Sequence, residues 1–192
     1  MDSRFAQSTG LHRELVKRFC DTQQGELERL AGRVATLFAD GGQLLTVGIG
    51  MFHPVAQLVA TAFAYRLDFD RPALPAICLG SDSAMAAAMA SGGEYEQLFI
   101  RHYRALGGEK QLLLLFGNGT SNPALERLRD EVLENDQAVA LFSGAGMKDP
   151  LYCDDLEWCL DLATGSRARQ IELMQFAGHL LCELVEAELF QC

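Results

Sequence analysis

The chain has 192 residues, of which 49% are hydrophobic and 22% charged, and its net charge is −10 at neutral pH. This length and composition suit a single globular domain that buries a core without disulfides. The acidic balance argues against a broad basic surface for nucleic acid. The sequence opens on mixed polar residues and contains no apolar run of the ~20 residues that a membrane span requires. We therefore expect a cytoplasmic protein that binds neither membranes nor nucleic acid directly.

The six cysteines are scattered, and none forms a CxxC pair. In a chain of this size, that pattern indicates reduced thiols that serve mainly as small core residues. Cys153 and Cys159 lie near each other in sequence, but no second pair at zinc-ligand spacing accompanies them. The sequence therefore predicts neither a metal site nor a cofactor.

Residues 1–40 form a predicted N-terminal helical segment. Two helices are expected there, Leu11–Gln24 and Glu26–Ala39, and the second ends at the stop signal Asp40-Gly41-Gly42. Residues 41–192 then form an α/β core and a last helix. No linker, low-complexity tract or repeat divides the chain, so a single domain is predicted.

Five short apolar runs predict buried strands, and segments long enough for crossover helices separate them. Continuous apolar runs such as Leu112 to Phe116 favour a parallel sheet covered on both faces. The predicted strands are Gln43–Gly48, Leu74–Leu79, Gln111–Phe116, Gln137–Phe142 and Glu157–Leu162. The predicted helices between them are His53–Leu67, Ser81–Met89, Tyr95–Leu106 and Pro123–Asn135. This alternation predicts a flavodoxin-like, three-layer αβα sandwich with a five-stranded parallel sheet.

The last helix is predicted over Ser166–Leu189, and its apolar residues cover more than one face. Such a helix packs on its own sheet and also on a second surface. We interpret that surface as another subunit, which predicts a homodimer or homotetramer built around the last helix. Leu189 and Phe190 either complete this interface or offer a contact for a different protein.

Two strand-to-helix loops stand out as candidate ligand sites. The first is Gly48-Ile49-Gly50-Met51-Phe52, and the second is FGNGTSNPAL, residues 116–125. In a doubly wound sheet, ligands bind outside the carboxyl ends of the strands, where both loops belong. The second loop combines glycines, hydroxyls and a helix N-terminus, which together suit a phosphate group. The candidate ligand contacts are Gly48, Gly50 and His53 in the first loop and Asn118, Gly119, Thr120, Ser121 and Asn122 in the second.

Each loop also has a purely structural interpretation. A turn with Asn and Gly at left-handed positions explains the second loop equally well. The first loop lacks the third glycine of a Rossmann fingerprint. His53 either caps the following helix or touches a ligand.

Glu172 and His179 on the last helix are the candidate catalytic residues. Their seven-residue spacing places them two turns apart on one face, and a His and a carboxylate that face a cleft perform acid–base chemistry. The alternative is a pair that serves only a helix interface. His12 and His102 lie in polar helical contexts and are interpreted as surface residues.

Several separated segments, taken in order, resemble the sugar isomerase (SIS) domain. They are the two N-terminal helices, ADGGQLLTVGIG, RPALPAICLGSD, YRALGGEKQLLLLFGNGTSNPAL and IELMQFAGHLLCELVEAELF. The resemblance runs from about residue 10 to residue 190 and is strongest to the branch of phosphoheptose isomerase and of a non-enzymatic relative that associates with the replication initiator DnaA. It implies one SIS domain over residues 1–192, and a homotetramer whose sites lie at subunit interfaces.

This chain departs from the family pattern at the positions that carry the isomerase chemistry. The family's metal-binding His and catalytic Glu, four residues apart on the helix after the first loop, fall on Leu58 and Ala62. On the last helix, Met174 replaces a family His, whereas Glu172 and His179 are retained. The second loop has Gly-Asn-Gly-Thr-Ser-Asn in place of the family's Ser-Thr-Ser-Gly-Asn-Ser.

The first loop departs as well, because Met51 and Phe52 stand where the family has Gly and Ser. The sequence suggests that these two side chains close the phosphate-binding loop with apolar bulk, or rebuild it for another ligand. On the first interpretation, Phe52→Ser with Met51→Gly would strengthen phosphate binding.

Aldose–ketose isomerisation needs a base that removes the proton alpha to the carbonyl and a group that stabilises the enediolate. Ala62 offers no base, and Leu58 and Met174 offer no nitrogen ligand for zinc. We therefore predict a catalytically inactive SIS-domain protein that acts as an oligomeric scaffold or regulator, with DnaA as the partner that the resemblance suggests. The alternatives are a phosphosugar-binding regulator and an isomerase of sedoheptulose 7-phosphate or a related phosphosugar.

Overall fold

The computed structural model describes residues 3–106, 108–117 and 119–190. The helices in these residues are α1 (Arg4–Ala39), α2 (His53–Ala64), α3 (Ser83–Ser91), α4 (Leu98–Leu106), α5 (Pro123–Glu134) and α6 (Arg167–Phe190). The strands are β1 (Gln43–Gly48), β2 (Ala76–Cys78), β3 (Gln111–Gly117), β4 (Ala138–Ser143) and β5 (Trp158–Asp161). None of the helices in the described ranges is long and apolar enough to cross a membrane.

The strands form one five-stranded sheet in the order β2-β1-β3-β4-β5, and every neighbouring pair is parallel. In the shared register, Val47 of β1 lies opposite Leu115 of β3, which lies opposite Leu141 of β4. The chain moves outward from β1 in both directions, so a topological switch point lies between β1 and β3. The predicted parallel sheet and three-layer sandwich are therefore confirmed.

Helices cover both faces of this sheet. The helices α1, α2 and α6 pack on one face, and α3, α4 and α5 pack on the other. The central strand β3 is buried along its whole length, and its side chains alternate between the two cores. Leu112, Leu114 and Phe116 enter the core of α1, α2 and α6, whereas Leu113 and Leu115 enter the opposite core.

A single helix, α1, replaces the two predicted N-terminal helices. It runs for 36 residues from its N-cap at Ser3 and passes through Gly25 without a break. A glycine inside a helix costs about 1 kcal/mol relative to alanine. The buried face continues on both sides of that glycine, with Phe19 before it and Leu27 after it. Packing of this face against α6 therefore extends the helix across the predicted break.

A buried ion pair fixes the end of α2 against α6. The Arg71 and Glu186 side chains are 1% and 4% exposed, and Nε of Arg71 lies 2.6 Å from Oε1 of Glu186. The guanidinium also donates to the carbonyl oxygens of Ala62 and Phe63, each at 2.8 Å, in the last turn of α2. Burial and the Glu186 charge raise the pKa of the neighbouring Cys182 thiol to about 12.

We expect Arg71→Ala to lower the free energy of unfolding by about 3–5 kcal/mol, because it leaves a carboxylate buried without its cation. Arg66→Ala is the matched control, since it removes an exposed ion pair with Asp70 and should cost only ~0–1 kcal/mol. Urea unfolding followed by circular dichroism measures both changes. Equal stability of the two variants would contradict the structural role of the buried pair.

Candidate functional site

The carboxyl ends of β1 and β3 lie side by side, and the loops that follow them form the candidate ligand edge. After β1, Gly48 approaches Phe52 so closely that an added Cβ would lie 2.8 Å from its carbonyl oxygen. Gly50 has a φ of +55°, a conformation that favours glycine. The two glycines thus form a tight turn into α2, and their phosphate contact stays a prediction.

The Phe52 ring does not close this loop, contrary to the first of the two sequence interpretations. Met51 is 59% exposed, whereas Phe52 is 2% exposed and packs in the core of α1, α2 and α6. The Phe52 side chain therefore lies beneath the loop, where it anchors the start of α2. The pattern of the loop could not reveal this, because it does not fix the direction of each side chain.

His53 begins α2 and lies beside the end of β2. Nδ1 of its half-buried imidazole lies 3.9 Å from Sγ of Cys78. Burial raises the pKa of the Cys78 thiol, and hydrogen bonds with Ser81 and Thr46 oppose this shift. Burial therefore disfavours the thiolate form of Cys78. At the carboxyl edge of the sheet, His53 is therefore a polar group that a ligand could contact, whereas Cys78 does not supply a thiolate.

The buried carboxylate of Asp149 holds the start of the second loop. Its Oδ2 accepts the Gly119 N–H at 2.9 Å and the Ser143 hydroxyl at 2.5 Å, and its Oδ1 accepts the Leu151 N–H at 2.9 Å. A Cβ on Gly117 would lie 2.5 Å from Oδ2. The loop therefore needs glycine at 117, and one of its N–H donors already has an anionic partner.

A second carboxylate, Glu126 in the first turn of α5, binds the other end of the loop. Its Oε1 accepts the Ser121 hydroxyl at 2.7 Å and the Asn122 N–H at 2.9 Å. Asn122 is the N-cap of α5, and its side chain accepts the Leu125 N–H at 3.1 Å. Of the other predicted contacts, Thr120 is exposed, and Asn118 lies outside the described residues.

Glu172 and His179, the predicted catalytic pair, have separate partners. Oε2 of Glu172 lies 2.7 Å from Nδ1 of His12 on α1, and Oε1 lies 2.8 Å from Nη2 of Arg169. His179 lies 2.6 Å from the side-chain amide of Gln175. The structure thus gives each residue its own hydrogen bond, and their catalytic role stays a prediction.

His12 and His102 are not simple surface residues. His12 is half-buried and lines an open cleft between α1 and α6 together with Glu172 and Arg169. Nδ1 of His102 accepts the N–H of Gly80 at 3.0 Å, just after β2. These partners lie 160 and 22 residues away along the chain, which is why local sequence context did not reveal them.

The positions that the resemblance assigns to the metal ligands and the base carry no polar side chain. On α2, Leu58 is 56% exposed and Ala62 is buried, and on α6 Met174 is fully buried in the core. Across the described ranges, no group of three or more His, Cys, Asp or Glu residues is placed to hold a metal ion. The absence of a metal and of a cofactor remains a prediction.

No protein-family model matches the chain. A phosphoheptose isomerase of Desulfovibrio desulfuricans is 31% identical over 178 residues, which cover 92% of this chain and 83% of that protein. A phosphoheptose isomerase of Roseiflexus sp. is 29% identical over 178 residues, which cover 93% of this chain and 89% of that protein. The solved structure of a phosphoheptose isomerase from Francisella tularensis matches with a TM-score of 0.84 at 20% identity, over 95% of this chain and 96% of that chain.

The fold, with its two loops at the switch point, defines a sugar isomerase domain. The chain belongs to the phosphoheptose isomerase family of SIS-domain proteins. The activity named for these relatives supports the isomerase alternative of the sequence analysis more than it supports the scaffold interpretation.

We expect Phe52→Ser to lower the free energy of unfolding by about 3–5 kcal/mol, because it removes a ring from a packed core. The substitution should not strengthen phosphate binding, because the ring does not cover the loop. Met51→Gly, at the exposed neighbouring position, should change stability by less than ~1 kcal/mol. Urea unfolding and calorimetry with inorganic phosphate measure these effects. A stable Phe52→Ser variant that binds phosphate more tightly would show that the ring does block the loop.

Proposed function

We propose that this protein binds a phosphosugar at the carboxyl edge of β1 and β3 and does not isomerise it. The ligand class is supported by the membership of the phosphoheptose isomerase family. The proposed lack of turnover rests on one observation. Ala62 and Met174 are buried at the positions where the resemblance implies a base and a His. A methyl group and a thioether in a packed core cannot remove a proton from a sugar carbon.

Weak binding is expected, because three donors of the second loop already have carboxylate partners. Asp149 accepts the Gly119 N–H, and Glu126 accepts the Ser121 hydroxyl and the Asn122 N–H. The N-terminus of α5 adds only ~0.3–1 kcal/mol to an exposed anion. The edge therefore offers a phosphate little free energy in this conformation.

Calorimetry with sedoheptulose 7-phosphate should give a millimolar dissociation constant, and an end-point assay for the aldose product should detect no isomerisation. A phosphoheptose isomerase assayed beside this protein provides the positive control. Turnover comparable with that control would contradict the proposal. If no binding is detected at millimolar ligand concentrations, a phosphosugar is excluded as the ligand.

An isomerase that uses other residues is the second candidate function. His12 and Glu172 form an imidazole–carboxylate pair at 2.7 Å beside Arg169, in an open cleft. Such a pair performs acid–base chemistry, and a guanidinium stabilises a developing enediolate. Glu172→Gln should then lower turnover at least ~10²-fold. Glu188→Gln, at an exposed position on the same helix, should leave it unchanged.

We also propose that the chain self-associates through α6. An apolar groove between α1 and α6, lined by Phe19, Leu27, Leu180 and Leu184 among others, is open to solvent. This groove is the kind of second surface that the apolar pattern of the last helix predicted. A scaffold role, with DnaA or another protein as partner, rests on the resemblance alone.

Light scattering at micromolar concentration should show a dimer or a tetramer. Leu184→Glu should shift the protein to smaller species, because it places a charge in the apolar groove. Leu184→Met keeps the groove apolar and should leave the assembly unchanged. A monomeric wild-type protein would contradict self-association.

A further inference from the structure

The second loop of the proposed phosphosugar site is bound by a carboxylate of the protein itself. We propose that Glu126 is an internal competitor of the ligand phosphate, and that it must leave the loop before an anion binds there. This inference rests on the proposed function, because it concerns the regulation of the same site.

The contacts of Glu126 are those that a phosphate oxygen would make. One oxygen, Oε1, accepts both the Ser121 hydroxyl at 2.7 Å and the Asn122 N–H at 2.9 Å. Hydrogen bonds to an ionised acceptor are shorter and stronger than those to a neutral one. A donor pair that is held by one anion is not available to a second anion, which the negative charge of Glu126 also repels.

Glu126 differs from the other loop carboxylate in its freedom to move. Asp149 is 3% exposed and binds groups on β4 and in the following turn, so it is part of the framework. Glu126 is half-buried at the first turn of a surface helix, and a change of side-chain rotamer is enough to release the loop. Glu126 is therefore the displaceable carboxylate.

The helix does not depend on Glu126 for its cap. The side chain of Asn122 accepts the Leu125 N–H and caps α5 by itself. Removal of Glu126 should therefore free the Ser121 hydroxyl and the Asn122 N–H for a ligand while α5 keeps its start. The consequence is a loop that binds anions weakly in the wild type and more tightly without the carboxylate.

The test compares three variants by calorimetry, with inorganic phosphate as the first probe. Glu126→Ala should bind phosphate at least tenfold more tightly than the wild type. Glu126→Gln should bind with intermediate affinity, because its amide removes the charge but keeps an acceptor oxygen. Glu134→Gln removes the same charge from the exposed end of the same helix, and its affinity should stay within twofold of the wild type.

Equal phosphate affinity of the wild type and both Glu126 variants would overturn the inference, provided that thermal unfolding shows Glu126→Gln to be folded. Sedoheptulose 7-phosphate is the second probe and separates this inference from the proposed function. If Glu126→Ala binds phosphate more tightly than the wild type but neither protein binds the phosphosugar, the inference is supported and the proposed function is overturned. Tight phosphosugar binding by the wild type, with no gain in Glu126→Ala, would overturn the inference alone.

Discussion

The buried carboxylate of Asp149 organises the loops at the carboxyl edge of the sheet, where the phosphosugar site is proposed. Backbone N–H groups just beyond the end of a buried strand need hydrogen-bond acceptors, and a buried charge needs hydrogen-bond donors or acceptors around it. Asp149 meets both requirements, because it accepts from Gly119 after β3, from Ser143 at the end of β4, and from Leu151 in the following turn. The path of the second loop follows from these contacts, and Gly117 leaves the carboxylate its space.

On the face of the sheet that α1, α2 and α6 cover, positions to which the resemblance assigns catalytic groups have structural roles instead. Ala62 stands where the resemblance implies the base, and its carbonyl oxygen accepts a hydrogen bond from Arg71. Gly178 of α6 lies so close to α2 that an added Cβ would be 2.3 Å from Val59. Tight packing and the buried ion pair therefore bind α2 to α6. The fold of the family is retained, whereas the polar groups that the resemblance implies at Leu58, Ala62 and Met174 are absent.

Much of the fold was predictable from the sequence, since continuous apolar runs at regular intervals are typical of a covered parallel sheet. The split of α1 at Gly25 was wrong because a local glycine signal was weighted above a buried face that continues past it. The site was harder to predict from the sequence. Asp149 lies 30 residues beyond Gly119, and His12 lies 160 residues before Glu172. Glu126, four residues after the N-cap Asn122, did leave a local signal, namely an acidic residue in the first turn of a helix.

The central claim is that no group of this protein removes the proton alpha to the sugar carbonyl, and solvent deuterium exchange tests it most directly. Sedoheptulose 7-phosphate is incubated with the protein in deuterium oxide, and the carbon-bound protons are followed by nuclear magnetic resonance. Proton removal is detected in this experiment even when no product accumulates. The account predicts no exchange above that of the phosphosugar alone. Exchange in proportion to protein concentration, lost in Glu172→Gln, would contradict it.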